Sequence, residues 1–160
     1  MTETRLIPKE KELIAVGAAI SAGCIRCAHY HFKKVFQEGA TLAEVKKAVS
    51  DATLVIKNTQ ETMQRTAFTL MEEEREWVVL HEYDSADRMS ALVKLGAAVV
   101  GNCTTSIEKY LDLAKSLEVP SGEITMAVKL AKAILKKAGE FADKAISEQL
   151  NISPEIGVKK

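Results

Sequence analysis

The stretch GCIRCAHYH, residues 23–31, contains two thiols and two imidazoles within nine positions. Thiolates and imidazoles act as nucleophiles, bases and metal ligands, so this stretch is the first place to look for chemistry. Cys24 and Cys27 are three residues apart, a spacing that on a helix separates the β-carbons by roughly 5–6 Å. A disulfide between them needs only a small adjustment, which suits a bridge that cycles between oxidised and reduced forms.

Helical spacing also selects one of the two histidines. Cys27 and His31 are four residues apart and share one face of a helix, so His31 can accept a proton from Cys27 or stabilise its thiolate. Cys24 lies two turns from His31, and His29 points elsewhere. The sequence therefore indicates a Cys24, Cys27 and His31 group, and Arg26 adds positive charge without having to face the thiols.

The elements that carry this group are predicted to be helices. The chain has three prolines, is rich in strong helix formers, and repeats apolar residues at helical spacing, as in Val45, Val49, Ala52 and Ile56. Gly39 has the position of a helix-ending glycine, and Thr41-Leu-Ala-Glu44 reads as a capping box. We predict an all-α fold with helices near residues 9–22, 24–38, 42–57, 59–80, 85–101, 103–117, 121–138 and 139–149.

A shift of 79 residues aligns two parts of the chain without a gap. LIAVGAAISAGC (13–24) lies over LVKLGAAVVGNC (92–103), and FQEGATLAEVKKAVSDA (36–52) lies over KSLEVPSGEITMAVKLA (115–131). The Gly-Ala-Ala segment, the cysteine and the helix break all fall in register. We therefore predict a single domain over 1–160 with two pseudo-symmetric three-helix repeats, 9–57 and 88–136, joined by a long connecting helix within 59–88.

The second copy helps to place the first. Asn102 precedes Cys103 and is a favoured N-cap residue, and its counterpart is Gly23, which is tolerated there. Cys24 is then expected in the first turn of a helix, where free N–H groups favour an anion and lower the pKa of both thiols.

Composition restricts the classes of partner and the compartment. Basic and acidic residues number 22 each, so no charge excess points to nucleic acid or to an anionic membrane. The longest apolar run, 13–25, is too short to span a bilayer, and the N-terminal residues lack a signal-peptide core. Three cysteines are too few for a secreted disulfide framework, so we expect a cytoplasmic protein whose C-x-x-C is redox-active or metal-binding.

The spacing E-x11-C-x2-C-x3-H, formed by Glu12, Cys24, Cys27 and His31, is followed by Glu-Gly-Ala-Thr-x-x-Glu at 38–44. These residues resemble the alkyl hydroperoxidase D-type branch of the carboxymuconolactone decarboxylase-like family, here as a fused tandem repeat. The resemblance covers residues 9–57 directly and the second copy more faintly. The branch often has a histidine where this chain has Arg26.

The resemblance implies a helical, thiol-dependent peroxidase or disulfide reductase. It assigns Cys27 to attack the peroxide, Cys24 to resolve the sulfenic acid as a disulfide, and Glu12 with His31 to relay protons. It implies no bound cofactor. Electrons come from an external dithiol or a protein donor, such as a peroxiredoxin or a lipoyl-type partner.

In the second copy Glu12, Cys27 and His31 become Ala91, Ser106 and Tyr110, so we expect one redox centre per chain. Relatives with a single repeat form symmetric oligomers, and a fused pair is expected to form a trimer. Two other functions remain open. Cys24, Cys27, His31 and Glu12 could bind zinc, although zinc sites usually draw ligands from two separate knuckles. Alternatively, the chain is a catalytically silent oligomeric scaffold.

Overall fold

The computed structural model describes residues 5–77 and 86–151, and within these ranges the regular structure is entirely helical. The all-α prediction is confirmed for this part of the chain. The six helices in order are α1 (Pro8–Ser21), α2 (Ile25–Gln37), α3 (Leu42–Leu70), α4 (Arg88–Val100), α5 (Thr104–Ser116) and α6 (Ser121–Leu150).

Two predicted helix breaks are wrong. α3 continues through Asn58, and α6 continues through Gly139, so four predicted segments form two helices of 29 and 30 residues. Neither residue ends a helix by itself, because asparagine and glycine each cost no more than about 1 kcal/mol in a helix interior. The predicted helix over 59–80 is the second half of α3 and ends at Leu70, after which residues 71–77 are not helical. Residues 78–85, including His81, lie outside the described ranges.

α1 and α4 form the centre of the molecule. α1 packs against α2, α3, α4 and α6, and α4 packs against α3, α5 and α6 as well. Consecutive residues are buried on all sides of both helices, over 12–19 in α1 and 90–100 in α4. A helix that is buried all round needs such neighbours on every side, so the other four helices enclose these two.

Small residues allow α1 and α4 to approach closely. A β-carbon added to Gly17 would lie 2.7 Å from Val93 Cγ1, and one added to Gly96 would lie 3.2 Å from Ile14 Cγ2. The contact is reciprocal. Gly17 and Gly96 are 79 positions apart in the sequence, and so are Ile14 and Val93, the residues that they face. The Gly-Ala-Ala segments therefore lie at the crossing of the two central helices.

An ion pair recurs at the same spacing of 79 residues. Lys9 of α1 lies 2.8 Å from Glu44 at the start of α3, and Arg88 of α4 lies 2.7 Å from Glu123 at the start of α6. The first and third helices of each half are thus joined by equivalent residues. These contacts are those that a tandem repeat requires; the repeat and its pseudo-two-fold axis stay a prediction.

The second halves of the long helices are largely exposed. Met63 and Leu70 of α3 are exposed, as are Ile146 and Leu150 of α6. A helix of 30 residues is about 45 Å long, roughly twice the length of α1, so α3 and α6 extend beyond the central pair. Within 5–77 and 86–151, no helix combines the length and the apolar character that crossing a membrane demands.

Candidate redox site

The two cysteines lie where α2 begins. Cys24 is the N-cap of α2, with φ −90° and ψ 95°, and its Sγ accepts a hydrogen bond of 3.2 Å from the backbone N–H of Cys27. The sulfur therefore caps the helix as a serine or aspartate oxygen does elsewhere, and this donor favours the thiolate when the bridge is open. The sequence predicted a helix start here but not that the thiol itself is the cap.

The prediction that Gly23 and Asn102 are N-caps is wrong by one residue. Both precede the cap with a left-handed backbone, at φ 61° and φ 51°, and Cys24 and Cys103 are the caps of α2 and α5. Glycine and asparagine share this position because they enter the left-handed region most easily. Their common role is to turn the chain into the next helix.

Cys24 and Cys27 form a disulfide in this structure, with a Cα–Cα distance of 5.2 Å. Both side chains are largely covered, at 9% exposure for Cys24 and 5% for Cys27. The helical spacing of three residues thus brings the sulfurs into bonding distance, as the sequence predicts. The pair joins the N-cap of α2 to its first turn.

A carboxylate from α1 reaches the imidazole on α2. Glu12 is only 9% exposed, and its Oε2 lies 2.7 Å from His31 Nδ1. Its Oε1 lies 3.4 Å from Lys34 Nζ, and this negative neighbour raises the pKa of Lys34. A buried carboxylate requires such partners, because an isolated charge would lose its hydration without compensation. The structure therefore pairs Glu12 with His31, as the resemblance implies, and adds Lys34.

The bond to Glu12 orients the histidine ring. When Nδ1 donates to the carboxylate, Nε2 carries the lone pair and can accept a proton. Cys27 and His31 lie one turn apart on α2, so the two candidate side chains share one face of the helix. His29 is exposed on the same helix and does not join them.

A shallow cleft opens beside Cys24. Its volume is about 230 Å³, and it lies between the start of α2 and the second half of α6. Its lining residues are Ala22, Cys24, Ile25, Arg26, Ala138, Phe141 and Ala142. Cys27 does not contribute to this lining, so the two sulfurs of the disulfide have different surroundings.

Arg26 forms one wall of the cleft. Its guanidinium carbon lies 5.2 Å from the centre of the Phe141 ring, the geometry of a cation–π contact. Arg26 thus lies beside the disulfide yet turns towards α6. Phe141 was missed by the sequence analysis, because 114 residues separate it from Arg26 and no local pattern joins them.

The second half has a different group at the equivalent position. Cys103 is free and buried, and Tyr110, at the position of His31, is fully buried. Burial raises the pKa of Cys103, but hydrogen bonds with the side chain and the backbone of Ser106 help to outweigh it, so the pKa lies below its usual value. Among the described residues the disulfide at the start of α2 is therefore the one cysteine pair, and Cys103 has no cysteine partner.

The zinc alternative gains no support from the described residues. Within 5–77 and 86–151, no group of three or more histidine, cysteine or acidic side chains is placed to hold a metal ion. The sulfurs that zinc would need are joined to each other in this structure.

Comparison with known proteins gives one match. Residues 1–73 match the family model described as the carboxymuconolactone decarboxylase family. No curated protein and no solved structure matches the chain. The matched part includes Glu12, Cys24, Cys27 and His31, together with α1, α2 and α3. The match supports likeness to this family over the first half and does not extend to the second.

Proposed function

We propose that the chain is a thiol-dependent oxidoreductase of the alkyl hydroperoxidase D type, which works through the Cys24–Cys27 pair. The observation that carries this proposal is the disulfide at the start of α2 together with the Glu12–His31 hydrogen bond one turn further along. A nucleophile, a resolving thiol and an oriented base are the parts that thiol peroxidases and disulfide reductases need. The family match is compatible with this reading.

The peroxidase reaction uses both sulfurs in turn. The thiolate of Cys27 attacks the terminal oxygen of a hydroperoxide, the O–O bond breaks, and the alkoxide leaves with a proton as an alcohol. The resulting sulfenic acid is attacked by the Cys24 thiolate. The S–S bond forms, and hydroxide leaves and is protonated to water. The hydroperoxide is reduced by two electrons, and the thiol pair is oxidised to the disulfide.

Glu12 and His31 move the protons in these steps. His31, held at Nδ1 by Glu12, accepts the Cys27 proton at Nε2 and returns it to the leaving oxygen. Glu12 stabilises the imidazolium that forms between the two transfers and keeps the ring in one orientation. Cys24 needs less help from a base, because the Cys27 N–H already supports its thiolate.

An external thiol or disulfide completes the cycle. We propose that a dithiol or protein donor, such as a peroxiredoxin or a lipoyl-type partner, reduces the disulfide, with no bound cofactor. The same exchange in reverse would make the reduced chain a reductant of partner disulfides. A cytoplasmic location and assembly as a homo-oligomer, with a trimer favoured, remain predictions.

Two matched variants test the roles of the sulfurs. In Cys24→Ser, peroxide is expected to leave a sulfenic acid on Cys27 that a dimedone-type probe captures, because no resolving thiol remains. In Cys27→Ser, Cys24 is expected to give much less adduct under the same conditions. Mass spectrometry locates the adduct. Stronger labelling of Cys24 than of Cys27 reverses the roles, and turnover that survives Cys27→Ser contradicts the proposed function.

A further inference from the structure

The cleft beside Cys24 presents one sulfur of the disulfide together with a cation and an aromatic ring. Cys24, Arg26 and Phe141 all line it, and Cys27 does not. A nucleophile that enters from this side therefore meets Cys24 first. The chemistry that the cleft can recognise is set by Arg26 and by its apolar walls.

Arg26 has its positive charge available for a ligand. Among the described residues it forms no ion pair, and the contact that the structure shows for it is the 5.2 Å stacking on Phe141. A guanidinium on an aromatic ring keeps its N–H groups at the edge, where they can bind a carboxylate. Lys137 approaches the same ring at 5.3 Å but is already paired with Glu140 at 2.8 Å.

The remaining walls are apolar. Ala22, Ile25, Ala138 and Ala142 line the cleft, and Ile25 is 74% exposed. A volume of about 230 Å³ has room for a small organic molecule, and it is below the usual range of drug-sized pockets. An apolar chain of a few carbons between a thiol and a carboxylate matches these walls.

From this arrangement we infer that the cleft binds a small anionic thiol, with its carboxylate at Arg26 and its sulfur at Cys24. The inference rests on the proposed function and names the class of thiol that reduces the Cys24–Cys27 disulfide. It also makes Cys24 the sulfur that such a reductant attacks. Arg26 and Phe141 are then specificity residues, outside the Glu12–His31 pair.

The reduction consists of two exchanges. The thiolate of the reductant attacks Cys24 Sγ, the Cys24–Cys27 bond breaks, and its electron pair goes to Cys27, which takes up a proton. A second reductant thiolate attacks the reductant sulfur of the mixed disulfide and releases Cys24 as a thiolate. Two thiols become one disulfide, and the protein disulfide becomes two thiols.

The test compares three thiols of similar size and different charge on the oxidised protein. 3-Mercaptopropionate is anionic, 2-mercaptoethanol is neutral and cysteamine is cationic. Disulfide reduction is followed by acid quench, alkylation and mass spectrometry. Dividing each wild-type rate by the rate of Arg26→Gln cancels the intrinsic reactivity of each thiol.

We expect Arg26→Gln to slow 3-mercaptopropionate about two- to fivefold more than 2-mercaptoethanol, because both attack as thiolates and only the former has a carboxylate that can pair with Arg26. Cysteamine should not slow and should gain slightly. Arg26→Lys should keep part of the preference, and 0.5 M salt should weaken it. Lys137→Gln is the matched control, since it removes a cation near Phe141 that does not line the cleft.

The inference is overturned if Arg26→Gln changes the reduction rates of all three thiols equally. It is also overturned if Lys137→Gln weakens the preference for 3-mercaptopropionate as much as Arg26→Gln does. Reaction of each single-cysteine variant with the disulfide of 3-mercaptopropionate tests the point of attack. We expect Cys24 in Cys27→Ser to form the mixed disulfide faster than Cys27 in Cys24→Ser, and the reverse order contradicts it. If peroxide does not re-form the disulfide in the reduced protein, the proposed function is wrong, whichever thiol reduces the disulfide fastest.

Discussion

Glu12 is the residue that distinguishes this site from a pair of buried cysteines. It is nearly buried, and its two oxygens contact His31 and Lys34 on α2. A carboxylate in that position orients the imidazole and stabilises its charged form, which a base needs when it accepts a thiol proton. In the proposed mechanism the chemistry of Cys27 therefore depends on a side chain from another helix.

Replacing Glu12 with Gln tests this role. We expect the rate of peroxide-driven disulfide formation to fall roughly ten- to a hundredfold, because the amide keeps the shape but not the charge that supports imidazolium. The pH profile of the rate should also change, which a purely structural role would not require. Rates are measured by thiol quench and mass spectrometry across pH.

Glu10→Gln is the control for that experiment. Glu10 lies on the same helix, and hydrogen bonds with Arg88 help to hold its pKa below the usual value against the opposing effect of burial. It is not in the Glu12–His31 pair, so this variant should lose stability and keep its reaction rate per folded molecule. Equal loss of rate in both variants contradicts a specific role for Glu12.

The sequence predicts these residues to different degrees. The helical spacing alone grouped Cys24, Cys27 and His31, because all three lie within eight residues at the start of α2. Glu12 was predicted only from the family resemblance, since it lies 19 positions from His31 in the sequence and on a different helix. Lys34 was missed, although its place three residues after His31 was a usable signal.

At the scale of the helices, Gly17 and Gly96 allow a close approach of α1 and α4 where the two helices cross. Gly17 faces Val93, whose β-branched side chain has little freedom to move away. Gly17→Ala is expected to destabilise the fold by about 1–2 kcal/mol, since overpacking outweighs the gain in helix propensity. Gly96→Ala, with a looser contact, should be nearly neutral.

Gly139→Ala provides the control, because a β-carbon there would meet nothing within 4 Å. It should stabilise α6 by about 0.5–1 kcal/mol through helix propensity alone. Urea unfolding measures all three variants. A stabilising Gly17→Ala would show that the helices do not pack as closely as described.

The start of α3 should contribute to acid sensitivity. Hydrogen bonds with Lys9 and with Thr41 lower the pKa of Glu44 from 4.5 to about 2. A lowered pKa means that the ionised form stabilises the fold; this contribution is complete above pH 4.5 and is lost as the pH falls towards 2. The stability difference between wild type and Glu44→Gln should therefore shrink over this interval.

Unfolding by urea at several pH values between 6 and 2 checks this expectation. Glu108→Gln, at an exposed position in the middle of α5, serves as the control and should follow the wild type. A constant difference between wild type and Glu44→Gln across that interval contradicts the assigned role of the Lys9–Glu44 pair.

The capping box and the glycine turn before α3 were predicted correctly because they depend on local residue types. Thr41 and Glu44 cap each other, and Gly39 has φ 84°. The breaks at residues 58 and 139 were predicted wrongly, because helix continuity there depends on the surrounding turns more than on one weak breaker. Helix ends with strong local signals, such as a capping box or a left-handed glycine, could be predicted from the sequence. The continuation of a helix through a weakly unfavourable residue could not.

For the whole molecule, the exposed halves of α3 and α6 bear on assembly. We expect particles of three chains of 17.5 kDa each in light scattering after size exclusion. Met63 is 62% exposed on α3, and Met63→Glu should lower the particle mass if this face is buried between chains. Gln64→Glu, which adds the same charge at the next exposed position, should not. A monomeric wild type contradicts the trimer.

Counting free thiols before and after oxidation tests whether Cys24 and Cys27 form the redox centre. The fully reduced chain has three free cysteines and is treated with one equivalent of hydroperoxide, then alkylated under denaturing conditions and analysed by mass spectrometry. We predict one remaining free thiol, Cys103, and a peptide linked between Cys24 and Cys27. Three free thiols, or oxidation at Cys103 with the pair left reduced, would contradict it.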